Sequence, residues 1–262
     1  MKKGKIAICI PAIIDLNLIS SNVKSIKNNF IDCNKDYKFN VFVNIDDYKR
    51  ENTTGTLNEI SECYKLLNSK NCNVNVTISS PRLGINKSYE CLLNKFMNSD
   101  SDYCVFFDDD HEIINPIPLN EFYHKLSNDY LLRLSVAKKE PNVSFSYETP
   151  FLQNNIFFES KNVIIYKNSK PFFTNPGTFL SKNIVSEFLK TNIFNQSAVF
   201  ERVINSNISI DTHTCCYKTD DLVFNENAGY GDSWPIPLKN HFGYDGVRAA
   251  GGNAGSQLKD YN

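Results

Sequence analysis

Three consecutive acids, Asp108, Asp109 and Asp110, follow the apolar run Val105-Phe106-Phe107 and precede His111. Carboxylates are hard oxygen donors, the set that selects Mg2+ or Mn2+ and lets the ion bridge to the phosphates of a substrate. Three like charges at the end of a buried segment repel one another and cost stability unless a cation sits among them. A solvated acidic turn carries the same letters, so the surrounding elements decide between the two. Asp46 and Asp47 close a second apolar run, FNVFVNI, and Pro11-Ala12 close a third, KIAICIPA.

Those runs must position the acids. Residues 5–11, 39–45, 74–78 and 102–107 are short apolar or β-branched stretches with the character of buried strands. Between them lie apolar residues at helical spacing: Leu16, Ile19, Val23, Ile26 and Phe30 in 15–30, Leu57, Ile60, Tyr64 and Leu67 in 57–67, and Ile85, Tyr89, Leu92 and Phe96 in 85–96. Strand alternating with helix is the rhythm of a parallel sheet with crossover helices. Residues 1–115 are therefore expected to form a nucleotide-binding half-domain, with ligand bound beyond the carboxyl ends of its strands. That places the acids in a site.

Residues 116–262 are less regular. Strands are expected at 131–136 and 163–166, an extended segment over 172–180 bent at Pro176-Gly177, and a helix from an Ser181 N-cap through Lys190. A further helix is expected at 197–205, a strand at 208–214, and a loop or lid from Asn225 onward, rich in Gly, Asn and Asp.

Composition narrows the function classes. Length 262, with 28 Lys+Arg against 29 Asp+Glu, gives a formal charge of −1. The sequence pI of about 6.4 lacks the basic surplus that duplex binding requires. The eight cysteines include no CxxC pair, which argues against structural zinc. Cys9 and Cys104 read as buried apolar residues, and Cys215-Cys216 as strand neighbours facing opposite ways. Reduced thiols imply a cytoplasmic setting. The basic start followed by residues 6–14 imitates a signal peptide, but Pro11 and Asp15 interrupt it and a buried strand explains it better. No stretch reaches the roughly 20 apolar residues of a membrane span.

The segments KIAICIPA, VFVNIDD, SPRLGINKSYECLLNKF and YCVFFDDDHEI resemble the GT-A glycosyltransferases, in the style of the large inverting family 2 with its DxD motif. The resemblance covers the first 115 residues. It implies a GT-A-like, Rossmann-like α/β domain: a mostly parallel central sheet, flanking helices and an irregular acceptor-side half. It also implies a metal-dependent transferase moving a sugar from a nucleoside-diphosphate donor to a glycan or other hydroxyl acceptor, with Mn2+ or Mg2+. By position Asp110 would bind the metal, Asp109 the ribose or metal, and Asp108 would complete the DxD spacing. Pro11, Ala12 and Asp46 match the nucleotide side, and Arg82, Asn86 and Lys87 the segment facing nucleotide and diphosphate.

The second half departs from the family. Inverting relatives carry Glu-Asp at a helix start, one acid deprotonating the acceptor. Here Asn195-Gln196 fall at that place, and neither amide is a base. Either the base lies elsewhere, with Glu201 and then Asp221 or Asp220 as candidates, or the mechanism is retaining. His241 or His213 would supply a third metal ligand, and Trp234 either stacks on an acceptor sugar or anchors the tail. The alternative to an active transferase is a catalytically inactive carbohydrate- or nucleotide-binding protein with a retained fold. A nucleotidyltransferase is disfavoured, since residues 11–17 lack the glycines and basic side chains of a phosphate loop.

Overall fold

The computed structural model describes residues 4–48, 54–109, 113, 116–134, 156–167, 177–191, 193–195 and 210–217. Nine strands form one sheet among them: β1 Lys5–Ala12, β2 Lys38–Asp46, β3 Cys72–Ser79, β4 Tyr103–Phe106, β5 Tyr130–Leu134, β6 Ile156–Glu159, β7 Val163–Lys167, β8 Thr178–Ser181 and β9 Asp211–Tyr217. Their order is β3-β2-β1-β4-β8-β5-β9-β7-β6. β1 to β4 are mutually parallel, as expected. β8 is antiparallel to both β4 and β5, β9 is parallel to β5, and β7 is antiparallel to β6 and β9. Only β7 and β8 therefore run against the common direction. Strands from before and after residue 115 share the one sheet, joined where β4 pairs with β8.

β1 lies near the middle of the parallel part and is buried on both faces, which is why its run is continuously apolar rather than alternating. Ile6, Ile8 and Ile10 point into one core with Ile19, Val23 and Ile26 of helix α1 (Leu16–Ile26) and Ile60 and Tyr64 of α2 (Leu57–Lys65). Ala7 and Cys9 point into the other, with Cys104 and Phe106, against Tyr89, Leu92, Leu93 and Phe96 of α3 (Ile85–Met97) and Ile184, Val185 and Phe188 of α5 (Lys182–Lys190). Each fully buried Ile or Phe contributes about 1.5–3 kcal/mol. Residues 6–12 of the stretch that imitated a leader thus belong to an inner strand of the sheet.

Side-chain caps fix the helix starts. Asp15 accepts from the N–H of Asn17 and Leu18, Thr56 and Glu59 form a reciprocal capping box on α2, and Ser181 caps α5 as expected. α3 instead begins at Gly84, with φ +80° and no side-chain cap. Three elements differ from expectation. α1 ends at Ile26 and passes through a π turn, Lys27–Ile31, into a 3-10 turn, Asp32–Asn34. A one-turn helix, α4 (Leu119–Phe122), and the edge strand β6 were not foreseen. The helix expected at 197–205 lies outside the described residues.

Candidate active site at the tip of β4

The chain steps outward from β1 to β2 to β3 and then returns to the other side of β1 as β4. The crevice between the carboxyl ends of β1 and β4 is therefore the topological switch point, where open α/β sheets bind ligands. Cys9 pairs with Phe106, and the N–H of Phe107 donates to the carbonyl of Cys9 at 3.2 Å, so the acidic tip stands level with Pro11-Ala12. Pro11 and Ala12 are both buried.

Adjacent residues on an extended chain point to opposite faces, and the tip obeys this. Half-buried Asp108 turns toward α3, where its Oδ2 accepts from the Tyr89 hydroxyl at 2.8 Å. Buried Asp109 turns toward the β1–α1 loop, where its Oδ2 accepts from the N–H of Ile13 at 2.9 Å. Both donors are neutral, so these bonds orient the carboxylates without cancelling their charge. The donor chemistry suits a hard divalent cation. Asp110 lies outside the described residues.

The chain leaving the tip is docked on α1 and the π turn after it by polar side chains at near-helical spacing. Asn22 Nδ2 donates to the Asp108 carbonyl at 2.9 Å, Ser25 Oγ accepts from the N–H of Ile113 at 3.1 Å, and Asn29 Nδ2 donates to the Ile113 carbonyl at 2.6 Å. Asn34 continues the row, donating to the Ile117 carbonyl at 2.7 Å and accepting from the N–H of Leu119 at 3.0 Å. Asn22, Ser25 and Asn34 are all buried. The π turn lies between the Ser25 and Asn34 docking points.

At the end of β2, buried Asp46 accepts from the backbone N–H of Gly84 at 2.9 Å and of Leu83 at 3.3 Å. Burial raises its carboxyl above the ordinary value, against the lowering effect of those two amides, nearby Arg82 and Asn44. Asn44, fully buried, accepts from Ser79 Oγ and donates to Ser88 Oγ, both at 2.9 Å, tying β2, β3 and α3 together. Asp47 accepts from Ser80 Oγ at 2.9 Å. The Arg82 guanidinium lies 4.0 Å over the Tyr48 ring. Asn86 and Lys87 are on the first turn of α3, with Lys87 Nζ 2.7 Å from Glu90 Oε2.

On the other side of β4 the sequence reading missed Arg133. This residue of β5 is 1 % exposed, and its Nε donates to Thr214 Oγ1 at 3.1 Å. The signal was a charge inside the apolar run LLRLSV. Tyr89 and Asn22 were missed for another reason: Tyr89 was read as part of an apolar helical stripe, and nothing in the spacing sets Asn22 apart.

Two expectations about the acceptor side are altered or untouched. His213 is buried mid-strand in β9, paired with Leu132 of β5, and its ring lies 4.0 Å from that of Tyr130 and 4.4 Å from that of Phe157. Three strand spacings of about 4.8 Å separate β9 from β4. That sets His213 apart from the acidic tip of β4. Asn195, where the family pattern expects an acid, is exposed at the end of a 3-10 turn, Ile193–Asn195, whose Phe194 is buried. Glu201, Asp220, Asp221, Trp234 and His241 lie outside the described residues.

Fold and site together define a mixed α/β protein with a doubly wound, acid-tipped switch-point crevice. No family model and no curated protein matches the chain. Among solved structures it is similar to S. aureus TarS 1-349 in complex with UDP, at 15% identity over 81% of this chain and 60% of that one, TM-score 0.46. It is likewise similar to S. aureus TarS 1-349 alone, at 16% identity over 80% of this chain and 60% of that one, TM-score 0.46. This chain thus spans 60% of the length of the chains it matches. Among the described residues no helix is long and apolar enough to cross a membrane.

Proposed function

We propose that this chain is a metal-dependent glycosyltransferase of the cytoplasm, moving a sugar from a nucleoside-diphosphate donor to a hydroxyl of a glycan or other acceptor. The observation that carries the reading is the pair Asp108 and Asp109 at the switch point of β1 and β4, each oriented by a neutral donor. Asp108 and Asp110, with Asp109 beside them, would hold Mn2+ or Mg2+. Bound there, the ion offsets the negative charge that develops on the departing nucleoside diphosphate. Asp46 stands two strands away, about 10 Å at about 4.8 Å per strand, a separation that a nucleoside diphosphate can bridge. It and the Arg82–Tyr48 stack orient the base and ribose. Lys87 serves the diphosphate once released from Glu90. β8, β5 and β9, with buried Thr178 and Arg133, wall the acceptor side. Glu201 and Asp221 are the candidate bases, and His241 the candidate third ligand.

A second reading, a retained fold that binds donor without turnover, is favoured by one observation: an exposed amide, Asn195, in place of an acid. A panel of nucleotide-sugars with Mn2+, scored for free nucleoside diphosphate, tests both. The expected result is metal-dependent release from one donor, lost in Asp110→Ala. Metal-dependent binding without release would favour the second reading. Neither binding nor release across the panel would refute both.

A further inference from the structure

We infer that Tyr89 is a positioning residue for the metal site, acting through Asp108. The inference rests on the metal-binding reading above and assigns a role to a side chain whose spacing alone marks it as core. Tyr89 is 1 % exposed, at a position of α3 that faces the sheet. Its ring meets that of Phe106 edge-on, with centroids 5.1 Å apart and planes at 86°. Phe106 precedes Asp108 by two residues and so shares its face of the strand. The ring is therefore held by the same strand whose end its hydroxyl serves.

A buried phenol is costly unless its hydroxyl is bonded, and this one donates to Asp108 Oδ2 at 2.8 Å. Asn22 meanwhile holds the Asp108 carbonyl at 2.9 Å from the opposite side of the sheet. Backbone and carboxylate are thus fixed independently, which leaves Asp108 little freedom to rotate away from an ion. Groups that hydrogen-bond a liganding carboxylate set its orientation, and their loss weakens metal binding about 10–100-fold. α3 has a second duty as well. The amides that bind Asp46 lie at its start, so one rigid helix sets both acids that the donor must contact.

The test compares wild-type protein with Tyr89→Phe, which keeps the ring and removes only the hydroxyl. Free Mn2+ is followed by electron paramagnetic resonance during titration with and without UDP, and melting is measured without metal. The expected result is about 10–100-fold weaker Mn2+ binding, with turnover recovering as Mn2+ is raised. Phe106→Leu, which keeps the hydroxyl but loosens its seat, is expected to weaken binding in the same direction. Mn2+ affinity unchanged in both variants overturns the inference, whatever happens to the melting temperature. A wild-type protein that binds no Mn2+ overturns the metal reading itself, a distinguishable failure.

Discussion

Asp109 Oδ2 accepts the backbone N–H of Ile13 at 2.9 Å, joining the tip of β4 to the loop that leaves β1. The carboxylate is thereby structural as well as charged, and two substitutions separate the roles. Asp109→Ala leaves the N–H of Ile13, in a residue only 5 % exposed, without this acceptor, at a cost of about 1–3 kcal/mol. Asp109→Asn keeps an oxygen that can accept the bond, so urea denaturation should show most of that stability restored. Mn2+-dependent nucleotide binding should remain weak in both variants, since both lack the charge. Wild-type binding in Asp109→Asn would remove Asp109 from the site.

Gly84 carries φ +80° and ψ 164° at the start of α3, and its N–H is bound by Asp46 at 2.9 Å. That backbone region is essentially reserved for glycine, and a side chain there costs about 1–3 kcal/mol. Gly84→Ala should lower the melting temperature and raise the KM for donor, because the strained turn shifts the amides away from Asp46. An Asp46→Ala variant should raise the KM by the same route. A KM unchanged in both would disconnect this loop from the donor.

Stability should fall with acid through His213. Burial pushes its imidazole down from 6.5 to about 4, with Lys167 adding to the effect and Asp211 opposing it. Its Nδ1 has no hydrogen-bond partner among the described residues. The unfolded chain then binds a proton that the folded one refuses. The neutral form is fully compatible with folding above about 6.5, and stability is lost as pH falls from there toward 4, by up to about 3 kcal/mol. His213→Phe, which suits the neighbouring rings of Tyr130 and Phe157, should flatten the melting profile over that window. A slope equal to that of wild type would exclude His213 as its source.

The parallel half was legible because its signals are redundant: four apolar runs, three amphipathic stretches and acids at two strand ends all imply one topology. β1 to β4 and α1 to α3 follow. Ser181 and its helix were equally plain. β6 was not, since IFFE is a short edge strand whose partner, β7, it meets across a register shift. The π turn was hidden because its cause is tertiary: Asn29 and Asn34 reach the segment after the tip, a demand no local spacing shows. Of the site, the acids were visible as charges at strand ends. Tyr89 was not, because an apolar stripe at helical spacing shows where a ring packs and not what its hydroxyl meets. His213 shows the converse: a histidine's letter advertises a ligand, and only the strand order shows it three strands from the acids.

Lys87, on the first turn of α3, is open to a direct test. Its ammonium lies 2.7 Å from Glu90 Oε2 in an (i, i+3) pair, with the two side chains 40% and 32% exposed. Such a pair is worth no more than about 1 kcal/mol, so a diphosphate, with more charge to offer, can draw the lysine away. Glu90→Gln should change the melting temperature little and tighten donor binding severalfold, because Lys87 no longer has to leave a carboxylate. Lys87→Met should weaken donor binding by a larger factor, and more so at low ionic strength, where screening is least. Isothermal titration with nucleoside diphosphate at two salt concentrations reads both effects. Equal affinities for wild type, Glu90→Gln and Lys87→Met would mean that the first turn of α3 meets no phosphate, and the diphosphate would then lie wholly against the tip of β4.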